Sequence, residues 1–152
     1  KTGKIAEASL QALADIAKEL DSQTAVLLAP PEFAASRSNR TIAKDFLKFA
    51  VKKFKTVVWD APHWPIKESE AIAEETGAIA ARDPLTAGLS TLPIAYYRMP
   101  GPAGHKSRYE DQAIERLGEL ARKATHKEAT YVFTNVDMFA DAKRLKKILK
   151  LP

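Results

Sequence analysis

The chain contains no cysteine, which excludes disulfides, thiolate metal sites and a thiol nucleophile. It lacks any apolar run approaching the roughly 20 residues that a membrane helix needs, and no charged, apolar and small-residue leader opens it. These two lacks predict a soluble, cytoplasmic protein. No established phosphate-loop motif is present. Ser36, Ser38 and Ser90 have no strand-to-helix elbow and no partner at a known spacing, so nucleophilic catalysis has no support. Residues Lys1 to Lys4 include no initiator Met, which leaves open that sequence upstream of them has been lost.

What is present is ordinary globular composition. The chain has 152 residues, 45% of them hydrophobic and 28% charged, enough for one domain with a real core and too little for two. A net charge of +5 with a pI near 9.4 favours an anionic partner, nucleic acid included. The plainer reading is that Lys48, Lys52, Lys53, Lys143, Lys146, Lys147 and Lys150 are the wet faces of two helices, since they recur among apolar residues at helical spacing.

Hydrophobic periodicity alternates between two kinds. Ile5, Leu10, Leu13, Ile16, Ala17 and Leu20 recur every three or four residues and predict a helix over 5–20. Thr24 to Leu28 is a short, wholly apolar run, predicting a strand covered on both faces. Further helices are predicted over 41–54, capped by Asn39 or Thr41, over 67–76 ending at Gly77, over 111–127 and over 139–149. Further strands are predicted at 56–59, 78–81, 94–98 and 130–134. Strands that alternate with helices long enough to cross back over a sheet predict an α/β fold of parallel β/α units. Two architectures fit: a partial, TIM-barrel-like arrangement with about five strands, and an open doubly wound parallel sheet.

In such folds ligands bind at the carboxyl ends of the strands. That rule places Glu32, Arg37, Asp60, His63, Trp64, Arg82, Asp83, Arg98, His105, Lys106, Arg108, Asn135 and Asp137 on one rim. Arg98 ends an apolar strand, and a cation there needs either a carboxylate such as Asp137 or Asp60, or an anionic ligand. Arg98, Lys106 and Arg108, near Gly101 and Gly104, form a candidate anion site, because glycine lets backbone N–H groups approach a phosphate. Trp64, between two prolines, either stacks on a base or sugar or packs against the next helix. Asn135 either binds a ligand, caps the last helix or fixes its own loop. Asp60, His63 and Asp83 are of metal-ligand type but too few to define a metal site, and none is assigned. His126 is expected near a helix end, where it meets the helix dipole.

Four segments, in this order and spacing, carry a resemblance over nearly the whole chain. They are Leu27-Leu28-Ala29-Pro30-Pro31-Glu32-Phe33, Val57-Val58-Trp59-Asp60-Ala61-Pro62-His63-Trp64, Ala95-Tyr96-Tyr97-Arg98-Met99-Pro100-Gly101 with Tyr109, and Tyr131-Val132-Phe133-Thr134-Asn135-Val136-Asp137. Together they resemble the C-terminal part of the YecE-like family, a domain of unknown function numbered 72. The resemblance implies a TIM-barrel-like fold of roughly 250 residues, so that residues 1–152 form a single β/α domain matching only the last five or so units, either as the C-terminal part of a longer barrel or as a short, diverged version of it. An N-terminal part or another chain would then cover the exposed sheet edges.

Departures from the family pattern fall on its polar positions: Leu28 stands for a Gln, Val58 for a Glu, Asp60 for an Arg and Pro100 for a His. Pro30, Pro31, Pro62, Trp64, Arg98, Gly101, Tyr109, Asn135 and Asp137 are kept. The candidate rim site is therefore Arg98, Asn135, Asp137, Asp60, His63, Trp64 and Tyr109. The resulting expectation is a strand-end site for a phosphorylated or nucleic-acid ligand. Its alternative is a non-catalytic nucleic-acid- or protein-binding domain that has lost the family's active-site residues. No catalytic residue, cofactor or reaction is assigned.

Overall fold

The computed structural model describes residues 3–151; Lys1, Thr2 and Pro152, the ends of the expected 1–152 domain, lie outside the described residues. The chain divides into two compact units, Lys1–Ala80 and Ala81–Pro152.

In the first unit, helices α1 (Lys4–Glu19), α2 (Arg37–Ala50) and α3 (Ile66–Thr76) alternate with strands β1 (Thr24–Leu28), β2 (Thr56–Asp60) and β3 (Ile79–Ala80). The strands are parallel in the order β1-β2-β3, with Thr24 opposite Thr56, Leu28 opposite Asp60 and Val58 opposite Ile79. Leu10, Leu47, Phe54, Val57, Trp59, Trp64 and Ile72 fill the core. Three expectations are corrected. Helix α2 begins four residues earlier than its apolar periodicity suggested, because the Ser36 hydroxyl accepts the Asn39 N–H at 3.1 Å and caps it. It also ends at Ala50, so Lys52 and Lys53 belong to the following turn.

Strand β1 is the second correction: it is not covered on both faces. Val26 is 43% and Leu28 57% exposed, and among the described residues β1 pairs only with β2. Helix α1 is the third. It buries only Leu10 and Ala17, while Ile5, Leu13, Ile16 and Leu20 stay exposed. Gly77 does close α3 in the left-handed conformation, with φ of 79°.

The second unit contains a short helix α4 (Pro84–Ala87), strand β4 (Ile94–Met99), α5 (Asp111–Lys123), β5 (Glu128–Phe133) and α6 (Met138–Leu149). Strands β4 and β5 are parallel, Ile94 opposite Glu128 and Met99 opposite Phe133, and Arg82 forms a parallel bridge with Tyr97. Tyr97, Met99, Tyr109, Ile114, Leu117, Phe133 and Leu145 form the core. Helices α5 and α6 approach closely at Gly118, where an added Cβ would collide with the Ile148 side chain.

The Asp83 carboxylate caps helix α4 by accepting the Leu85 N–H at 2.9 Å. Helix α5 stops four residues short of Lys127. The reason is His126, which lies beyond the helix between the Tyr97 hydroxyl and the Leu92 carbonyl, 2.7 Å from each. A carbonyl only accepts, so Nδ1 carries the proton and Nε2 accepts from Tyr97. His126 thus ties the entry of β5 to β4 rather than meeting a helix dipole.

The architecture is α/β with parallel strands in a three-stranded and a two-stranded sheet, with no closed barrel among the described residues. No described helix is long and apolar enough to cross a membrane.

Candidate functional site

Each expected rim residue has a definite place. In the first unit Asp60 is buried at the carboxyl end of β2 and His63 is exposed in the loop that follows. Trp64 is buried, stacked on Phe33 at 5.8 Å and edge-on to Trp59 at 5.7 Å, and its Nε1–H donates to the Phe33 carbonyl. Its packing role accounts for the whole ring, leaving no face for a base or sugar. Glu32 and Arg37 are exposed.

In the second unit the loop after β4 folds back on itself. The Gly101 N–H donates to the Tyr109 hydroxyl at 2.8 Å, Ala103 N–H to Ser107 Oγ at 2.9 Å, Gly104 N–H to the Gly101 carbonyl and Ser107 N–H to the Gly104 carbonyl. Four amides that a phosphate cradle would use are thereby taken. Gly101 is required for this closure: its φ is 99°, and a Cβ there would press on the Gly104 carbonyl, Ser107 Oγ and Asn135. Burial pushes the Tyr109 hydroxyl up to about 12, so it stays a neutral acceptor and donor.

Asn135 is 2% exposed and fixes this loop from β5, donating Nδ2–H to the Ser107 carbonyl at 3.3 Å and to Asp141 Oδ2 at 2.8 Å. Asp141, 1% exposed on α6, also accepts from Arg144 at 2.5 Å. Arg144 reaches on to the Tyr109 carbonyl at 2.6 Å and to Asp111, and its guanidinium is held above its usual range by the Asp141 hydrogen bond. Of the three meanings open to Asn135, fixing the loop is one its geometry carries; Asp137, not Asn135, stands at the N-cap of α6.

Among the residues of the expected anion site, Arg108 already has a carboxylate partner. Arg108 Nε lies 3.0 Å from Asp137 Oδ2 and forms an ion pair with it, Lys106 and His105 are exposed, and Arg98 is half-buried along β4. Asp83 is held above the usual carboxylate range by burial. An open groove of about 850 Å³ runs beside Tyr109, lined by both signs of charge, including Asp83, Arg108, Arg116 and Glu119. Among the described residues no group of three or more His, Asp or Glu side chains could hold a metal ion.

The cationic surface lies elsewhere. On α6, Lys143, Lys146 and Lys147 are exposed, with Lys150 following at the C-cap, and none pairs with a carboxylate among the described residues. The contrast is α2, three of whose four cations pair with α3: Arg40 with Glu68 at 2.7 Å, Lys44 with Glu75 at 2.5 Å and Lys48 with Glu75 at 3.5 Å. Phe139 shares the α6 face and is 72% exposed, with Lys143 Nζ 4.3 Å from its ring centre.

Sequence reasoning missed the Asp141–Arg144 pair and the position of Phe139. Both leave a signal in helical phase. Asp141 falls in the same arc as Leu145 and Ile148, so a carboxylate at a core position demands a partner, and Arg144 is three residues on. Phe139 falls in phase with the lysines, on the outer face.

Two crystal structures share this fold. A DUF72 family protein from Enterococcus faecalis V583 superposes with a TM-score of 0.74 at 16% sequence identity, over 96% of this chain and 66% of that one. A DUF72 family protein from Thermotoga maritima MSB8 gives 0.73 at 16% identity, over 95% and 64%. The fold is that of DUF72 proteins. The chain spans about two thirds of the length of each. No family model matches the sequence, and no curated protein matches it.

Proposed function

We propose that this chain is a binding domain rather than a catalyst, and that it holds a phosphodiester polymer on the outer face of α6. The observation that carries this reading is the set of lysines with no carboxylate partner among the described residues, Lys143, Lys146 and Lys147 on α6 and Lys150 at its C-cap, while the helix's one carboxylate, Asp141, is buried on the opposite side. Lys146 and Lys147, in the last turn, also complement the helix dipole. That explanation does not extend to Lys143 in mid-helix. Loss of the family's polar strand-end residues at Leu28, Val58, Asp60 and Pro100 fits a domain that has kept a frame and changed its use.

The test is fluorescence anisotropy with a labelled oligonucleotide at low salt. Replacing the four α6 lysines by Ala is expected to abolish binding, whereas Lys44→Ala with Lys48→Ala on α2 leaves it intact. Equal losses from both variants would reduce the effect to net charge and end the proposal.

A second reading keeps a strand-end site for a phosphorylated ligand in the second unit, near Arg98, Asn135, Asp137 and Tyr109. It is supported by Thr134 Oγ1, which is buried without a hydrogen-bond partner among the described residues, and whose O–H can donate to a phosphate oxygen. Titration with inorganic phosphate, followed by amide shifts of Asn135 and Gly101, tests it; unmoved shifts at millimolar phosphate would dismiss it.

The same proposal makes the chain the C-terminal part of a longer, TIM-barrel-like domain, with an upstream part or another chain covering β1. The exposed Val26 and Leu28 and the one-sided pairing of β1 support that reading, as does the greater length of the two DUF72 proteins.

A further inference from the structure

We infer that the α6 surface selects single-stranded over double-stranded nucleic acid, with Phe139 as the stacking platform for an unpaired base. This deepens the polymer-binding reading and rests on it. The chain has six phenylalanines, four tyrosines and two tryptophans, all of them described, and Phe139 is the one that is exposed. An aromatic ring 72% in water contributes nothing to the core, and its sequence neighbours Val136 and Met138 are 53% and 55% exposed. An exposed aromatic ring among further exposed apolar side chains points to a contact surface.

The ring is also placed with respect to charge. Phe139, Lys143, Lys146 and Lys147 fall within an arc of about 100° on an ideal helix, and the stripe from Phe139 to Lys147 is about 12 Å long. A strand whose phosphates follow the lysines brings a base to the ring at the start of the stripe. Lys143 Nζ, 4.3 Å from the ring centre, braces the ring and stands where the adjoining phosphate would lie. Stacking needs a base whose face is free; in a duplex every interior base is already stacked on both sides, so only the lysines would contribute. This combination of a cationic track with an aromatic platform is how single strands are held without sequence preference. An anionic membrane would also attract lysines, but the apolar face of α6 is turned inward to Leu145 and the core, and Phe139 and Met138, its exposed large apolar side chains, do not make the broad apolar face that an inserting helix needs.

The test compares labelled single-stranded and duplex oligonucleotides of equal length, at one salt concentration, against wild type, Phe139→Ala and Phe139→Trp. Wild type is expected to prefer the single strand, Phe139→Ala to lose roughly tenfold on the single strand with duplex affinity unchanged, and Phe139→Trp to retain binding with quenched Trp fluorescence. Equal affinity for both forms with no effect of Phe139→Ala would overturn this inference while leaving the lysine surface standing. No binding of either form by wild type would overturn the underlying reading as well. Saturable binding to vesicles containing phosphatidylserine, lost in Phe139→Ala, with no oligonucleotide binding, would assign the surface to a membrane and refute both.

Discussion

Replacing Asp141 by Ala tests the tie between the β4 loop, β5 and α6. The carboxylate is 1% exposed and accepts from Asn135 Nδ2 at 2.8 Å and from Arg144 at 2.5 Å. Its loss leaves Asn135 Nδ2 with a single long bond, 3.3 Å to the Ser107 carbonyl, and strips Arg144 of its buried partner. Breaking a buried ion pair from one side typically costs about 3–5 kcal/mol. Here the Arg144 side chain is 34% exposed and keeps Asp111 and the Tyr109 carbonyl, so solvent and those partners absorb part of the penalty, and about 2–3 kcal/mol remains. With a urea slope of about 1–3 kcal/mol per molar, the unfolding midpoint should fall by about 1 M or more. Asp141→Asn keeps the shape but sets its amide against that of Asn135, and should fall in between. The assay is equilibrium urea unfolding monitored by far-UV circular dichroism. A midpoint unchanged by Asp141→Ala would mean that the pair does not hold the loop, and the network would lose its structural meaning.

Two further outcomes follow from the same loop. Gly101→Ala must place a Cβ at φ of 99° against the Gly104 carbonyl and Ser107 Oγ, and should cost about 2 kcal/mol or more in the same urea assay; wild-type stability would show that the loop can open. Tyr109 and Tyr131 are both pushed up to about 12, chiefly by burial. A phenol whose folded value lies above its unfolded value near 10.0 favours folding fully below that value. Stability should therefore hold up to about pH 10 and fall from there towards pH 12, as the unfolded chain releases its protons first. Tyr109→Phe should flatten that decline, measured by thermal unfolding across the alkaline range.

The β/α alternation was legible because each element has its own period: T-A-V-L-L and T-V-V-W are too short and too apolar for anything but strands, and Gly77 marks a helix end by its backbone freedom. Boundaries set by one side chain were not. Ser36 starts α2 and His126 ends the reach of α5, and neither effect has a period to detect. The structure has Arg98 near the end of β4 and Asn135 and Asp137 in the loop after β5, but the strand-end rule could not say that Asn135 faces Asp141 or that Arg108 faces Asp137, because such pairings depend on χ angles and the path of the loop. The apolar composition of β1 predicted two covered faces, yet burial is a property of neighbours, and Val26 and Leu28 remain 43% and 57% exposed.

The salt dependence of oligonucleotide binding tests the central claim most directly. Three to four lysines of the α6 face engaging as many phosphates should give a slope of log K against log salt of about −2 to −3 for a single strand. Removing Lys143 and Lys147 together should make that slope shallower by about 1.4. An unchanged slope in the double variant would place the contacts elsewhere on the chain and contradict the assignment of α6 as the binding face.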